Sequence, residues 1–160
     1  MDAAGRFARY LASRRLKMTR SRRAILEEVL AVRGHFTADD LLLHFRRRGR
    51  AVAPATLYRT LARLVEAHLV HRIDMSKGQA RYEPMFGRHH HDHMICLKCG
   101  KIFEFESREI ERLQAAACRR RRFHLLEHTH QLRGHCAECA RPAPIPAHGA
   151  EAGETRCSKP

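Results

Sequence analysis

The 160 residues predict an α+β fold, with an N-terminal winged helix-turn-helix followed by a small α/β unit. Three observations lead there. Apolar residues recur at helical spacing through most of the first seventy positions. The spacing then changes to two over residues 69–83 and again from residue 93. Charge and ligand chemistry divide near the same place. Residues 1–84 carry 18 Lys+Arg against 8 Asp+Glu, net +10, whereas residues 85–160 carry 13 against 9, net +4, with all six cysteines and nine of the thirteen histidines. The length excludes a large multidomain enzyme, and the shift in composition argues for two units, 1–84 and 85–140, with 141–160 as a tail.

Each element has a local cause. Residues 6–17 read as a basic helix able to reach phosphates or a minor groove. Thr19 is a plausible N-cap for a helix whose stripe is Ile25, Leu26, Val29, Leu30 and Val32, ending at Gly34. Thr37 opens a second helix with Asp40 at its third position, as in a capping box; Leu41, Leu42 and Phe45 form its buried side, and Gly49 suits a left-handed C-terminal position. Pro54 starts a third helix, 54–67, with Leu57, Leu61, Leu64 and Val65 on one face. Residues 69–73 and 80–83 read as strands around a Lys-Gly turn, and a hairpin appended to a helix-turn-helix is a wing. The solvent-facing side chains expected on the third helix are Tyr58, Arg59, Thr60 and Arg63, with Lys77 near the wing tip, and Thr56 is a further candidate DNA contact. A basic face so placed suits a polyanion, nucleic acid above all.

In the second half, residues 93–97 and 101–105 read as strands flanking Lys98-Cys99-Gly100. Residues 107–122 read as a helix with Ile110, Leu113 and Ala117 inward, and residues 123–133 alternate as a further strand. Exposed strand edges would invite a second copy, so a dimer is expected. The tail, with four of the six prolines and two glycines, is expected to be disordered. No apolar run approaches the ~20 residues of a membrane span, and the N-terminus lacks a secretory stretch, so a soluble, cytoplasmic protein is expected.

Cys96-Leu97-Lys98-Cys99 and Cys136-Ala137-Glu138-Cys139 form two C-x2-C knuckles, together the ligand set of a tetrahedral zinc site. In a cytosolic chain two matched pairs favour zinc over disulfides or redox chemistry. Cys118 reads as a small buried residue and Cys157 as a free thiol. In His89-His90-His91-Asp92-His93, an extended backbone would point His91 and His93 one way and His90 and Asp92 the other, so one pentapeptide could serve two metal sites. Imidazole with carboxylate suits zinc or divalent iron rather than calcium. His35, Glu83, Glu104, Glu111 and His128 are the candidate partners.

Three segments together resemble the ferric uptake regulator family over roughly residues 10–140. They are Ala55-Thr56-Leu57-Tyr58-Arg59-Thr60-Leu61 in the recognition helix, the His-Asp-His run followed at once by Met94-Ile95-Cys96-Leu97-Lys98-Cys99-Gly100, and Gly134-His135-Cys136 before the second knuckle. The resemblance implies a homodimeric, metal-dependent DNA-binding protein, usually a repressor, with a winged helix and an α/β dimerisation domain. It implies a structural Zn²⁺ on Cys96, Cys99, Cys136 and Cys139, a regulatory site on His35, Glu83, His91, His93 and Glu104, and an additional site on His90, Asp92, Glu111 and His128. It also implies that Lys17 contacts a minor groove and that Tyr58 and Arg59 contact a major groove.

Zinc-sensing relatives usually supply a cysteine near Glu83, and none lies between residues 1 and 95; peroxide sensors usually place aspartates where Glu83 and Glu104 stand. Fe²⁺ is therefore the expected regulatory ion, acting on an A/T-rich palindromic operator of metal-uptake genes. Manganese-, zinc- or peroxide-responsive regulation and a constitutive zinc-containing DNA-binding protein are the alternatives. A zinc hydrolase using the His-Asp cluster lacks an activated nucleophile, a phosphate loop and a pocket signature, so no enzyme is expected.

Overall fold

The computed structural model describes residues 2–75, 78–87 and 90–140. The expected Lys77 contact and the 141–160 tail, Cys157 included, lie outside the described residues. The element order is α1(Ala3–Ser13), α2(Arg20–Ala31), α3(Ala38–Arg47), α4(Pro54–Glu66), β1(Val70–Asp74), β2(Ala80–Pro84), β3(Asp92–Cys96), β4(Ile102–Phe105), α5(Arg108–Arg120) and β5(Gln131–Gly134). This is an α+β chain, with α2 to β2 arranged as a winged helix-turn-helix.

Caps place the helices of the first half. Asp2 accepts from the Gly5 N–H at 2.8 Å, so α1 begins at Ala3, and the left-handed Arg15 turns the chain out before Lys17. The helix expected over 6–17 is thus displaced toward the N-terminus, and Lys17 lies on the connector. Thr19 caps α2 by accepting from the Arg22 N–H at 3.3 Å. Thr37 and Asp40 close a reciprocal capping box on α3, and Gly49 follows that helix at φ 65°. Pro54 stands in the first turn of α4, where its missing N–H costs nothing. The core between these helices is made of Phe7, Leu11, Ile25, Leu26, Val29, Leu41, Phe45, Leu57, Leu61 and Leu64, all almost wholly buried. Beside it, buried Glu28 of α2 accepts from Arg48 at 3.0 Å and meets His44 Nε2 at 2.8 Å, tying α2 to the end of α3.

Thr60 does not face solvent as expected. It is buried, and its hydroxyl donates to the Thr56 carbonyl one turn back at 2.7 Å, which satisfies the polar group internally.

The wing pairs β1 antiparallel with β2, setting His71 opposite Glu83. A two-way bridge then joins Phe36 to Tyr82, with N–H···O distances of 2.9 and 2.7 Å. In the second sheet the order is β4-β3-β5; β3 is antiparallel to β4 and parallel to β5. Two expectations need correction here. Of the stretch 123–133 only residues 131–133 are strand, and the strand ends at Gly134, because pairing with β3 spans four residues. And α5 buries no residue: Leu113 is 71% exposed and Ala117 is exposed, since no layer among the described residues covers that face.

The Asp40 carboxyl is held below its ordinary value of 3.8, first by the Thr37 backbone N–H and then by the Thr37 hydroxyl. A folded value below the unfolded one adds stability that is fully present above the unfolded pKa and lost as pH falls through the folded one. Thr37→Ala should lower the unfolding free energy by about 1 kcal/mol at neutral pH. Urea denaturation at a series of pH values should find that penalty shrinking below about pH 4; a penalty unchanged by acid would leave the carboxylate without a part in the cap.

Candidate metal centres and nucleic-acid face

The first centre is assembled by backbone pairing. Because Phe36 bridges Tyr82, the preceding His35 lies beside Glu83 of β2. On β3, His93 stands directly opposite Glu104 of β4, and residues so paired share one face of a sheet. His91 enters from the segment just before β3. The result is a cluster in which His91 Nε2 lies 2.9 Å from Glu83 Oε1 and His93 Nε2 lies 3.1 Å from Glu83 Oε2. His35 Nε2 lies 3.5 Å from Glu83 Oε2 and 3.8 Å from Glu104 Oε1, and His91 Nε2 lies 3.9 Å from Glu104 Oε2. Ligands about 2.1 Å from one cation stand roughly 3 Å apart; the donors form two groups within 4.8 Å, His35, Glu83 and His93, and Glu83, His91 and Glu104, joined through the Glu83 carboxylate.

The electrostatics agree with that grouping. Glu83 is 2% exposed, and burial alone would raise its pKa. The close approach of His35 and the hydrogen bond with His93, with the charge of His91, more than reverse this and hold the carboxyl far below the usual range. His71, across the hairpin from Glu83, has its ring 5.5 Å from that of His93, and burial followed by the charge of His93 lowers its pKa. His71 stands behind the cluster and was not singled out from the sequence; the symmetric pairing of the hairpin around its turn was the signal that could have found it.

The second centre uses the other side of the His run. His90 Nε2 lies 3.4 Å from Asp92 Oδ1 and 3.3 Å from Glu111 Oε1, and His128 Nε2 lies 3.2 Å from the same Glu111 oxygen and 3.0 Å from His90 Nε2. Glu111 is in the first turn of α5, and Asp92, 2% exposed, begins β3. Asp92 Oδ1 and Glu111 Oε1 are buried atoms that accept no hydrogen bond among the described residues. Two imidazole nitrogens and two such oxygens turned toward one point fit a divalent cation.

The third centre is made by the parallel pairing of β3 with β5, which sets Cys96 beside Gly134 and carries the second knuckle to the first. The four sulfurs lie within 4.8 Å of one another, and Cys99 Sγ and Cys136 Sγ are 3.8 Å apart. Tetrahedral ligands at about 2.3 Å would be separated by about 3.8 Å. Backbone N–H groups of Cys99 and Cys136 lower the Cys96 thiol to about 5, whereas desolvation pushes Cys139 up to about 12. Four thiols so close do not ionise together unaided, and a bound cation would favour loss of the remaining protons. Cys118, on α5, is half-buried and apart from this group.

On α4, Tyr58 is 48% exposed and Arg59 is exposed, Thr56 is half-buried, and the half-exposed Arg63 is engaged by Glu66. Lys17 is exposed. Among the described residues no helix is long and apolar enough to cross a membrane.

The sequence model of the Ferric uptake regulator family matches residues 13–133. A ferric uptake regulation protein of Campylobacter jejuni is 38% identical over 136 residues, which cover 84% of this chain and 86% of that one. Among solved structures, the Helicobacter pylori ferric uptake regulator Fur, described as having three functional metal binding sites, aligns with TM-score 0.69 and 27% identity over 85% of this chain and 90% of its own. The Pseudomonas aeruginosa ferric uptake regulator with manganese aligns with TM-score 0.69 and 32% identity over 79% and 95%. The chain therefore belongs to the ferric uptake regulator family, whose members are metal-responsive, dimeric DNA-binding regulators of transcription and not enzymes.

Proposed function

We propose that this chain is an Fe²⁺-responsive homodimeric repressor of metal-uptake genes, acting in the cytoplasm on an A/T-rich palindromic operator. The observation that supports the reading is the pair of three-donor groups that share Glu83 of the wing, one with His35 and His93 and the other with His91 and Glu104. A divalent cation would supply the positive charge needed to draw the two groups onto one centre. Ligation by residues of both units fixes the angle between them. In a two-fold dimer only some angles set the two α4 helices about one helical turn, near 34 Å, apart in successive major grooves. Lys17, Thr56, Tyr58, Arg59, Arg63 and Lys77 are the DNA contacts proposed. Among the described residues α5 is unburied and the outer edges of β4 and β5 carry no strand, which supports assembly with a second copy.

Cys96, Cys99, Cys136 and Cys139 would hold a structural Zn²⁺, and His90, Asp92, Glu111 and His128 an additional ion. Two glutamates and three imidazoles, with no thiolate among them, support iron at the regulatory site. Manganese is the second reading, favoured by the manganese in the Pseudomonas relative. The same donors hold Zn²⁺ more tightly at equal concentration, so availability in the cell selects the ion.

Anoxic fluorescence-anisotropy titration of the zinc-loaded protein on an A/T-rich palindrome, at fixed salt and buffered free Fe²⁺, Mn²⁺ or Zn²⁺, tests the function. Binding that rises at micromolar Fe²⁺ is expected; binding indifferent to all three ions would leave a constitutive zinc-containing DNA-binding protein. In the same assay His91→Ala should raise the Fe²⁺ needed for half-maximal binding by more than about 100-fold, beyond what loss of a supporting group outside the ligand shell costs, while the dimer keeps its zinc. An iron response unchanged in that variant would show the site misassigned. Cys96→Ser should release zinc and lower the thermal midpoint, because structural metal binding is folding free energy; a zinc-free variant with the wild-type midpoint would defeat the assignment.

A further inference from the structure

The outer face of α4 carries a carboxylate where a polyanion would be expected to repel one. The inward residues of this helix are Leu57, Thr60, Leu61 and Leu64. At 100° per residue Arg59, Arg63 and Glu66 therefore fall together on the opposite side. Glu66 is not simply solvated. The Tyr10 hydroxyl of α1 donates to it, Arg63 Nη1 donates to its two oxygens at 3.0 and 2.9 Å, and Arg14 Nη2 lies 4.0 Å away. Tyr10 is itself fixed, stacked on fully buried Phe7 with centroids 6.4 Å apart, and the Arg14 guanidinium lies 5.7 Å from its ring centre. Tyr10 first and Arg63 second hold the Glu66 carboxyl below its ordinary range, so it is charged wherever DNA is bound.

An isolated exposed ion pair contributes little, but here an aromatic hydroxyl and two guanidinium groups meet one carboxylate that is anchored to the core through Phe7. The pair occupies Nη1 alone, so the Arg63 fork retains donors for another acceptor. An arginine already ordered gives up less rotamer freedom when it meets a base edge than one that is free. We propose that Tyr10 and Glu66 are positioning residues that hold Arg63 as a base-reading side chain, so that the N-terminal helix takes part in operator selectivity. This rests on α4 being the helix that reads DNA.

Selection of a randomised duplex library by the metal-loaded full-length protein, followed by sequencing, tests it on wild type, Arg63→Ala, Glu66→Ala and Tyr10→Phe. Wild type should enrich a two-fold consensus. Arg63→Ala should weaken the preference at one base pair of each half-site by roughly 5- to 150-fold, the range of one bidentate base contact. Glu66→Ala and Tyr10→Phe should relax that same position and leave the others sharp. Tyr10→Phe keeps the ring and removes one hydroxyl, and alanine suits an exposed helix position, so both variants should retain wild-type zinc content and helicity. The proposal is overturned if Glu66→Ala strengthens binding to every duplex alike with the consensus intact, as loss of one repelling charge would do. It is equally overturned if Tyr10→Phe leaves the position as sharp as in wild type. A wild-type protein that enriches no sequence would instead overturn the DNA-reading role of α4, and this proposal with it.

Discussion

Strand β3 is the constraint on which both halves of the molecule depend. It is the centre of its sheet, and its two-residue alternation sends His93 toward the winged helix and Asp92 toward α5. Its last residue, Cys96, begins the knuckle. A slip of one position in the pairing with β4 would exchange the two faces, taking His93 away from Glu104 and turning Asp92 away from His90 and Glu111. Three candidate metal centres thus share one register. That register is fixed on both sides, by the antiparallel ladder to β4 and the parallel one to β5.

Glu83 is where this sheet meets the wing. A carboxylate taken out of water is costly unless partners replace its hydration, and here the partners come from both units: His35 from one, His91 and His93 from the other. The Phe36–Tyr82 bridge is what makes His35 available, since a short extended pairing at that point fixes the residue before it and the residue after it together. The contact made through Glu83 is therefore polar and titratable. A polar junction of this kind is readily reset by a change in charge, which is what a metal-responsive regulator requires.

Much of this was legible from local signals. The Thr37–Asp40 box, Pro54 and the paired knuckles each state a local geometry through residue type and spacing, and the His-Asp-His run separates into two groups as strand alternation requires. Signals that depend on a neighbour were less legible. Thr60 reads as polar and outward, yet it falls between Leu57 and Leu61 on the inner face, and its hydroxyl is satisfied by Thr56. Alternation over residues 123–130 produces no strand because no ladder partner among the described residues lies beside it, whereas residues 131–134 lie against β3. The approach of Tyr10 to Glu66 joins residues 56 positions apart and has no sequence signature at all.

The same dependence on a neighbour explains α5. Its Ser107 cap and first-turn acids mark a well-formed helix, but Leu113 on it and Leu126 beyond it, 84% exposed, find no cover among the described residues. On the sheet, Met94, Phe103 and Leu132 lie side by side across all three strands and are also exposed. Each large aliphatic side chain taken fully out of water contributes about 1.5–3 kcal/mol, and a contiguous patch of this kind marks an interface. In a two-fold homodimer each copy would cover the other with the same surface. Glu111 stands on this same helix and His128 just after it, so the second metal centre and the proposed interface share α5: ligation by His90, Asp92, Glu111 and His128 would fix the helix against β3 in the position from which it meets a partner.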